Sequence, residues 1–182
     1  MIDEKVLNFA RESLRKRAEA LESVQFTNVI QRDFSFGQVK AGIDVKQTQG
    51  WITSLLSADT NSATIYRLSV NTQEGADRLN LAFQDYVRPD GVKMTRNNRV
   101  AGSRIVYVGS SRNIRQRLVQ HLKNCPDSTY ALKMNRWCPN TEDRLNVEII
   151  VVRGKENQAL VQDVEDSLWI RSRPMFGKLG PR

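Results

Sequence analysis

The chain has 182 residues, with 28 Lys+Arg, 20 Asp+Glu and a single His, for a formal net charge of +8. Hydrophobic residues make up 40%, so a chain this long can bury a core without disulfides or metals. No run approaches the ~18 apolar residues of a membrane span.

The start, Met1-Ile2-Asp3-Glu4, is acidic at once and does not read as a signal peptide. Cys125 and Cys138 are the only cysteines. They lack CxxC spacing and have one histidine to help them, which argues against structural zinc. The expectation is a soluble, cytoplasmic protein with two free thiols.

The charge is unevenly spread. Residues 1–60 balance, with 8 basic and 8 acidic residues, whereas residues 61–182 hold 20 basic and 12 acidic and so carry the whole +8. Residues 88–123 hold nine basic residues and one acidic residue, Asp90. Such an excess suits a polyanion; the plainer alternative is a solvated basic face.

In chain order, Val6, Leu7, Ala10, Leu14, Ala18 and Leu21 recur at helical spacing and predict a helix over 3–23. Residues 24–60 are broken by Gly37, Gly42 and Gly50; a short strand around Phe34 and Phe36 and a helical turn over 51–56 are expected there. Residues 63–70 predict a strand and residues 74–87 a helix with Leu79, Ala82, Phe83 and Tyr86 on one face. A loop over 88–103 opens with Pro89-Asp90-Gly91. A strand over 104–108 then leads into a helix capped by Ser111 or Asn113 and running to about 124. Helices over 128–137 and 155–171 flank a last strand over 145–152.

Candidate chemistry begins on the helix after Gly109. Arg117 and His121 are four apart and share a face, one step round from the stripe Ile114, Leu118 and Leu122. That register sets them at the edge of the packed face, able to point into a cleft. The plainer reading of His121 is a partly buried structural histidine. On the last helix, Glu165 lies four after Val161 and four before Trp169, on the same face as Leu168, while Asp163 and Asp166 point elsewhere. An inward carboxylate must be paired or bound to metal; by spacing alone an ion pair with an arginine leads.

These residues resemble the GIY-YIG nuclease family. Thr64-Ile65-Tyr66 is similar to its first block and Tyr107-Val108-Gly109 to its second. Ser110 to Arg117 (SSRNIRQR) matches the small residue, spacer and arginine that follow, with His121 one turn on. Glu165, Leu168, Trp169 and Pro174 match its last helix, and the likeness covers about 120 residues. Two features depart from the pattern. Gly177 stands where the family often has asparagine, and Tyr66 and Tyr107 are 41 residues apart, so residues 71–102 look inserted.

The resemblance implies an α+β fold: a small three-stranded mixed or antiparallel sheet flanked by helices. An N-terminal helical extension over 1–60 would precede a nuclease domain over 61–182. It also implies a metal-dependent endonuclease cutting DNA, double-stranded by preference, of restriction, defence or toxin type. The implied catalytic set is Tyr66, Tyr107, Arg117, His121 and Glu165. Glu165 would hold one Mg²⁺, with Mn²⁺ able to substitute, because Mg²⁺ takes few protein ligands. Arg117 matches the arginine that contacts the scissile phosphate, and Tyr66 matches the general-base candidate. Tyr107 and His121 would orient the water or share the proton.

For nucleic-acid contact the candidates are Arg88, Lys93, Arg96, Asn97, Asn98 and Arg99 in the loop, with Arg112 and Arg115 on the basic helix. Arg and Asn are the types that read guanine and adenine edges; phosphate contact alone is the plainer reading of this loop. A homodimer would be one way to cut both strands. The reading from another class is a catalytically inactive nucleic-acid-binding module on the same fold, for which Gly177 speaks. A basic membrane-surface protein would need a helix with an all-basic polar face, which is absent.

Overall fold

The computed structural model describes residues 4–26, 29–44, 46, 50–51, 63–123, 125–153 and 158–180. Most of the helical turn expected over 51–56 lies outside the described residues. The elements are α1 (Glu4–Glu22), β1 (Gln25–Phe26), β2 (Ile30–Ser35), α2 (Phe36–Ala41), β3 (Thr64–Val70), α3 (Gln73–Asp85), β4 (Ile105–Ser111), α4 (Ile114–Leu122), α5 (Met134–Trp137), β5 (Arg144–Arg153) and α6 (Gln158–Ser172).

The class is α+β, as expected, but the sheet has five strands rather than three, and all its strand pairs are antiparallel. β3 is central, between β4 and β5, and β1 and β2 both pair with the far edge of β5. The added strands come from the segment expected to be an extension. Ser35 terminates β2 and caps α2, its hydroxyl accepting from the Gln38 N–H while the Gln38 side chain accepts from the Ser35 N–H. The capping box turns the chain inward and drives Phe36 and Val39 into the core.

Period-2 alternation explains how β3 serves two layers. Tyr66, Leu68 and Val70 enter the main core with residues of α3, α4 and α5. Ile65 faces the other way, onto Val152 and Val161, with Val164 and Leu168 of α6 packed alongside. Arg67 and Glu148 pair across β3 and β5 on that outer face. α1 lies outside this layer, with no residue of its own buried. Its tie to α6 is a two-pronged Arg17–Asp163 contact, at 2.5 and 2.6 Å.

The helix expected over 128–137 is a single turn. Tertiary pairing overrides its local preference. Ala131 bridges to Met94, and the Ala131 carbonyl accepts from the Thr95 N–H at 3.2 Å. Lys133 then reverses the chain at φ 51, a left-handed conformation uncommon outside glycine. Its side chain is fully buried, with Nζ donating to the Pro126 carbonyl at 2.8 Å.

The loop over 88–103 is likewise fastened. The Asn98 N–H donates to the Met175 carbonyl at 2.8 Å, the Gly177 N–H to the Arg96 carbonyl at 2.9 Å, and the Lys93 N–H to the Asp127 carbonyl at 2.7 Å. Segment 93–98 therefore bridges the turn before α5 and the segment after α6. Both cysteines are free, as expected, and both are buried; burial pushes the Cys138 thiol up to about 12.

Candidate active site

The register of β3 against β4 builds the site. Tyr66 pairs with Gly109, and Leu68 with Tyr107, so both tyrosines rise from the same face of adjacent strands. Their rings lie 6.0 Å apart at 21°, and Gly109 makes room for them. A Cβ there would fall 2.7 Å from Tyr66 Oη and 2.8 Å from Tyr107 Cε1. Any side chain at 109 would displace one ring or both. Ser110, the next residue, points to the opposite face and donates from Oγ to Glu165 Oε2 at 2.6 Å. The Tyr-Val-Gly-Ser run thus aims Tyr107 one way, beside Tyr66, and a carboxylate partner the other.

Asn113 caps α4 by accepting from the Gln116 N–H at 3.1 Å. One turn in, Arg117 reaches over the tyrosines: Nε donates to Tyr66 Oη at 3.3 Å and Nη2 to Tyr107 Oη at 3.4 Å. Nη1 donates to Gln120 Oε1 and to the Tyr130 carbonyl, both at 3.0 Å. Burial works against the Arg117 charge, yet the two tyrosine oxygens outweigh it and lift its pKa above the ordinary arginine value. Among the described residues every hydrogen bond of the guanidinium is to a neutral oxygen, so its positive charge is not matched by a carboxylate there.

His121 is not at the edge of a cleft, as its register suggested; it is fully buried. Its Nδ1 accepts from the Leu132 N–H at 3.2 Å, and its Nε2 lies 3.0 Å from Tyr66 Oη. A backbone N–H can only donate, so Nδ1 carries no proton and the neutral ring holds its hydrogen on Nε2. His121 is therefore a donor to Tyr66 in this arrangement and cannot take its proton. Burial, with the Arg117 charge adding to it, holds the imidazole well below its ordinary pKa.

Tyr66 is buried as well, with 1% of its surface exposed. Burial first, then the neighbouring Tyr107, pushes its phenol well above the ordinary value, against the opposing pull of Arg117. Tyr107 is half-buried and lines an open cleft of about 940 Å³ with Ser110, Arg117, Glu165 and Gly177. Tyr66 and His121 do not line it. They form the floor that holds Arg117 and Tyr107.

Glu165 does face inward, as its helical register implied, but among the described residues it makes no ion pair with arginine and its hydrogen-bond partner is Ser110. Burial raises its pKa first of all, the Ser110 hydrogen bond opposes this, and Asp166 raises it further. Asp166, expected to point elsewhere, is 3% exposed and accepts from Gln162 Nε2 at 2.8 Å. Among the described residues no three His, Cys, Asp or Glu side chains converge. A single half-buried carboxylate at an open cleft fits a hard cation that keeps most of its waters.

The expected nucleic-acid contacts divide. Arg88, Arg96 and Asn97 line the cleft. Lys93 sits 5.5 Å from the centre of the Tyr130 ring. Arg99 belongs to a shallower neighbouring depression, and Arg112 and Arg115 lie on either side of the α4 N-terminus. Asn98 is used within the fold, donating from Nδ2 to the Pro174 carbonyl at 3.0 Å, and Asn97 bonds Asn80 and the Arg99 N–H.

Some surface cations are paired and others, in the cleft and elsewhere, are not. Arg17, Arg67, Arg78 and Arg136 each pair with a carboxylate. Arg88, Arg96 and Lys178 line the cleft, are exposed, and have no carboxylate partner among the described residues. Lys178, Tyr130 and Gln162 were not marked by the sequence, since nothing local distinguishes them from surface residues.

Gly177 has φ 107, and a Cβ there would stand 3.0 Å from Tyr107 Cε2. An asparagine at this position would press on the Tyr107 ring from a backbone conformation it rarely adopts. Glycine therefore fits this cleft for steric reasons of its own.

No protein-family model matches the chain, and no curated protein or solved structure matches it significantly.

Proposed function

We propose that the protein is a metal-dependent endonuclease that hydrolyses phosphodiester bonds, with DNA as substrate. The observation that carries the reading is the cleft in which Arg117 faces Glu165 amid Arg88, Arg96 and Lys178, none of these cations having a carboxylate partner among the described residues. A guanidinium clamp, one carboxylate and a rim of spare positive charge are the groups that phosphodiester cleavage asks for. The resemblance of the same residues to the GIY-YIG pattern supports it.

In this mechanism Arg117 meets the scissile phosphate through its charge and the one Nη2 N–H that Tyr66, Tyr107, Gln120 and the Tyr130 carbonyl leave unused. Tyr66 and His121, buried beneath it, fix its position and act as positioning residues. Tyr107 is the phenol that meets the cleft, so it orients the attacking water and accepts a hydrogen bond from it; Tyr66 is too deeply buried to do so in this arrangement. Glu165, held by Ser110, would take Mg²⁺, with Mn²⁺ as a substitute. When bound, the ion supplies charge neutralisation at the phosphate and acidifies its water. Arg88, Arg96 and Lys178 hold the flanking phosphates.

The competing reading, an inactive nucleic-acid-binding module, rests on Gly177. Plasmid cleavage with Mg²⁺ separates the two. Wild type should nick, and Glu165→Ala should bind DNA with similar affinity and leave it intact. If both proteins bind and neither cuts, the enzyme reading fails; if both cut equally, Glu165 has no role in the chemistry.

A further inference from the structure

We propose that the cleft binds an unstacked nucleobase on the exposed ring of Tyr130, beside the phosphate held by Arg117. This rests on the phosphodiester reading above and names the part of the substrate that the site takes besides its backbone.

Tyr130 is 63% exposed yet lines the cleft. An exposed aromatic ring is ordinary by itself; its anchoring is what distinguishes this one. The Tyr130 carbonyl accepts from Arg117 Nη1 at 3.0 Å, which ties the ring's backbone to the guanidinium. The flanking chain is fixed on both sides, and ahead of the ring the Thr129 N–H donates to the Pro126 carbonyl at 2.9 Å. Ala131 bridges to Met94, and the next N–H, of Leu132, donates to His121 Nδ1. The backbone that carries the ring is therefore held at a set offset from Arg117, while 63% of the residue remains open to solvent.

Lys93 Nζ lies over one face of the ring, 5.5 Å from its centroid, so a cation with no carboxylate partner among the described residues backs the ring and leaves the opposite face for stacking. Cationic residues and aromatic faces alternate along this wall: Arg117, Tyr130, Lys93. That combination recurs where proteins hold unpaired strands, with cations on the backbone and rings under the bases. A paired base inside a duplex offers no free face to such a ring, so the base must be unstacked. It comes either from a single strand or from a nucleotide rotated out of a duplex.

Fluorescence anisotropy with a short labelled oligothymidylate and an all-abasic oligomer of equal length tests this, using Ca²⁺ in place of Mg²⁺ to prevent cutting. Wild type should bind the oligothymidylate at least about ten-fold more tightly than the abasic strand, within the range for one aromatic–base stack. Tyr130→Ala should bring the two affinities together by weakening the first and sparing the second. Tyr130→Phe should behave as wild type. Because the side chain is exposed, the truncated variant should fold, and its unchanged affinity for the abasic strand reports that it has.

If Tyr130→Ala weakens both oligomers alike, or neither, the stacking proposal is wrong and the phosphodiester reading is untouched. If wild type binds neither oligomer nor duplex DNA, the phosphodiester reading is itself overturned. An unlabelled duplex of the same sequence identifies the source of the base. Strong competition assigns it to a nucleotide rotated from a duplex, weak competition to a single strand, and both keep the proposal.

Discussion

Replacing His121 separates its two hydrogen bonds and tests the tautomer assigned to it. The side chain is fully buried, with Nδ1 accepting from the Leu132 N–H and Nε2 facing Tyr66 Oη. In His121→Asn the carboxamide oxygen takes the place of Nδ1, so the backbone N–H keeps an acceptor while the Tyr66 contact is lost. A neutral hydrogen bond contributes about 0.5–1.5 kcal/mol net; with a small void added, the expected loss is about 1–2 kcal/mol. His121→Leu also orphans the Leu132 N–H, and an unsatisfied buried donor costs a further ~1–3 kcal/mol. For a chain of this size each kcal/mol corresponds to about 2–4 °C in Tm. His121→Leu should therefore melt several degrees below His121→Asn.

Urea unfolding adds a pH test. The folded pKa of His121 is depressed below the ordinary 6.5, so on acidification the unfolded chain takes the proton first. Its contribution is present above about pH 6.5 and is lost as pH falls toward the folded value. Between about pH 7.5 and about pH 5.5, wild type should lose more stability than His121→Asn. Equal melting of the Asn and Leu variants, or an identical pH response in wild type and His121→Asn, would refute the assignment of Nδ1 as a fixed acceptor.

Gly177→Ala should destabilise the protein by about 1–3 kcal/mol, the cost of a side chain at strained positive φ, and should reduce plasmid nicking by disturbing Tyr107. Gly177→Asn, which would restore the family-like residue, should lower nicking rather than raise it; increased nicking would overturn the steric account. For DNA binding, Arg96→Ala and Lys178→Ala should each lower the slope of log affinity against log salt by about one. Arg78→Ala should leave the slope unchanged, because Arg78 is already paired with Asp143; a filter-binding titration across salt concentrations reads all three.

The elements with strong local patterns were legible. β3, β5 and α3 fall within a residue or two of the expected bounds, and α4 and α6 within three, because alternation, helical spacing and caps are written in neighbouring residues. β2 was visible only as a short strand of unknown partner. Phe34 is its one buried residue, so its alternation is faint, and its pairing with β5 spans more than 100 positions. The helix over 128–137 failed for the opposite reason: a local preference lost to pairing with Met94 and Thr95 and to the reversal at Lys133.

Within the candidate site, Arg117 and Glu165 both face the cleft, and the helical register already allowed that for each. The same spacing argument misplaced His121. Periodicity gives the angle around a helix axis, not the depth of the neighbour, and the chain from 125 to 133 covers that flank. Gly109 was marked by the motif but not as a residue that acts by leaving space, and Lys178, which has no carboxylate partner among the described residues, carries no local signal of its role.

Segment 93–98 also constrains how such a cleft could change over evolutionary time. Its backbone is hydrogen-bonded to Met175 and Gly177, and Gly177 abuts Tyr107. A substitution that shifted the position of Arg96 would travel through two peptide groups to a ring facing the cleft. Selection for a new ligand preference at this rim would thus act on the floor of the candidate site as well. Variation among descendants should gather in side chains that leave segment 93–98 where it is, with insertions and deletions kept to the exposed stretch around Pro89 and Asp90.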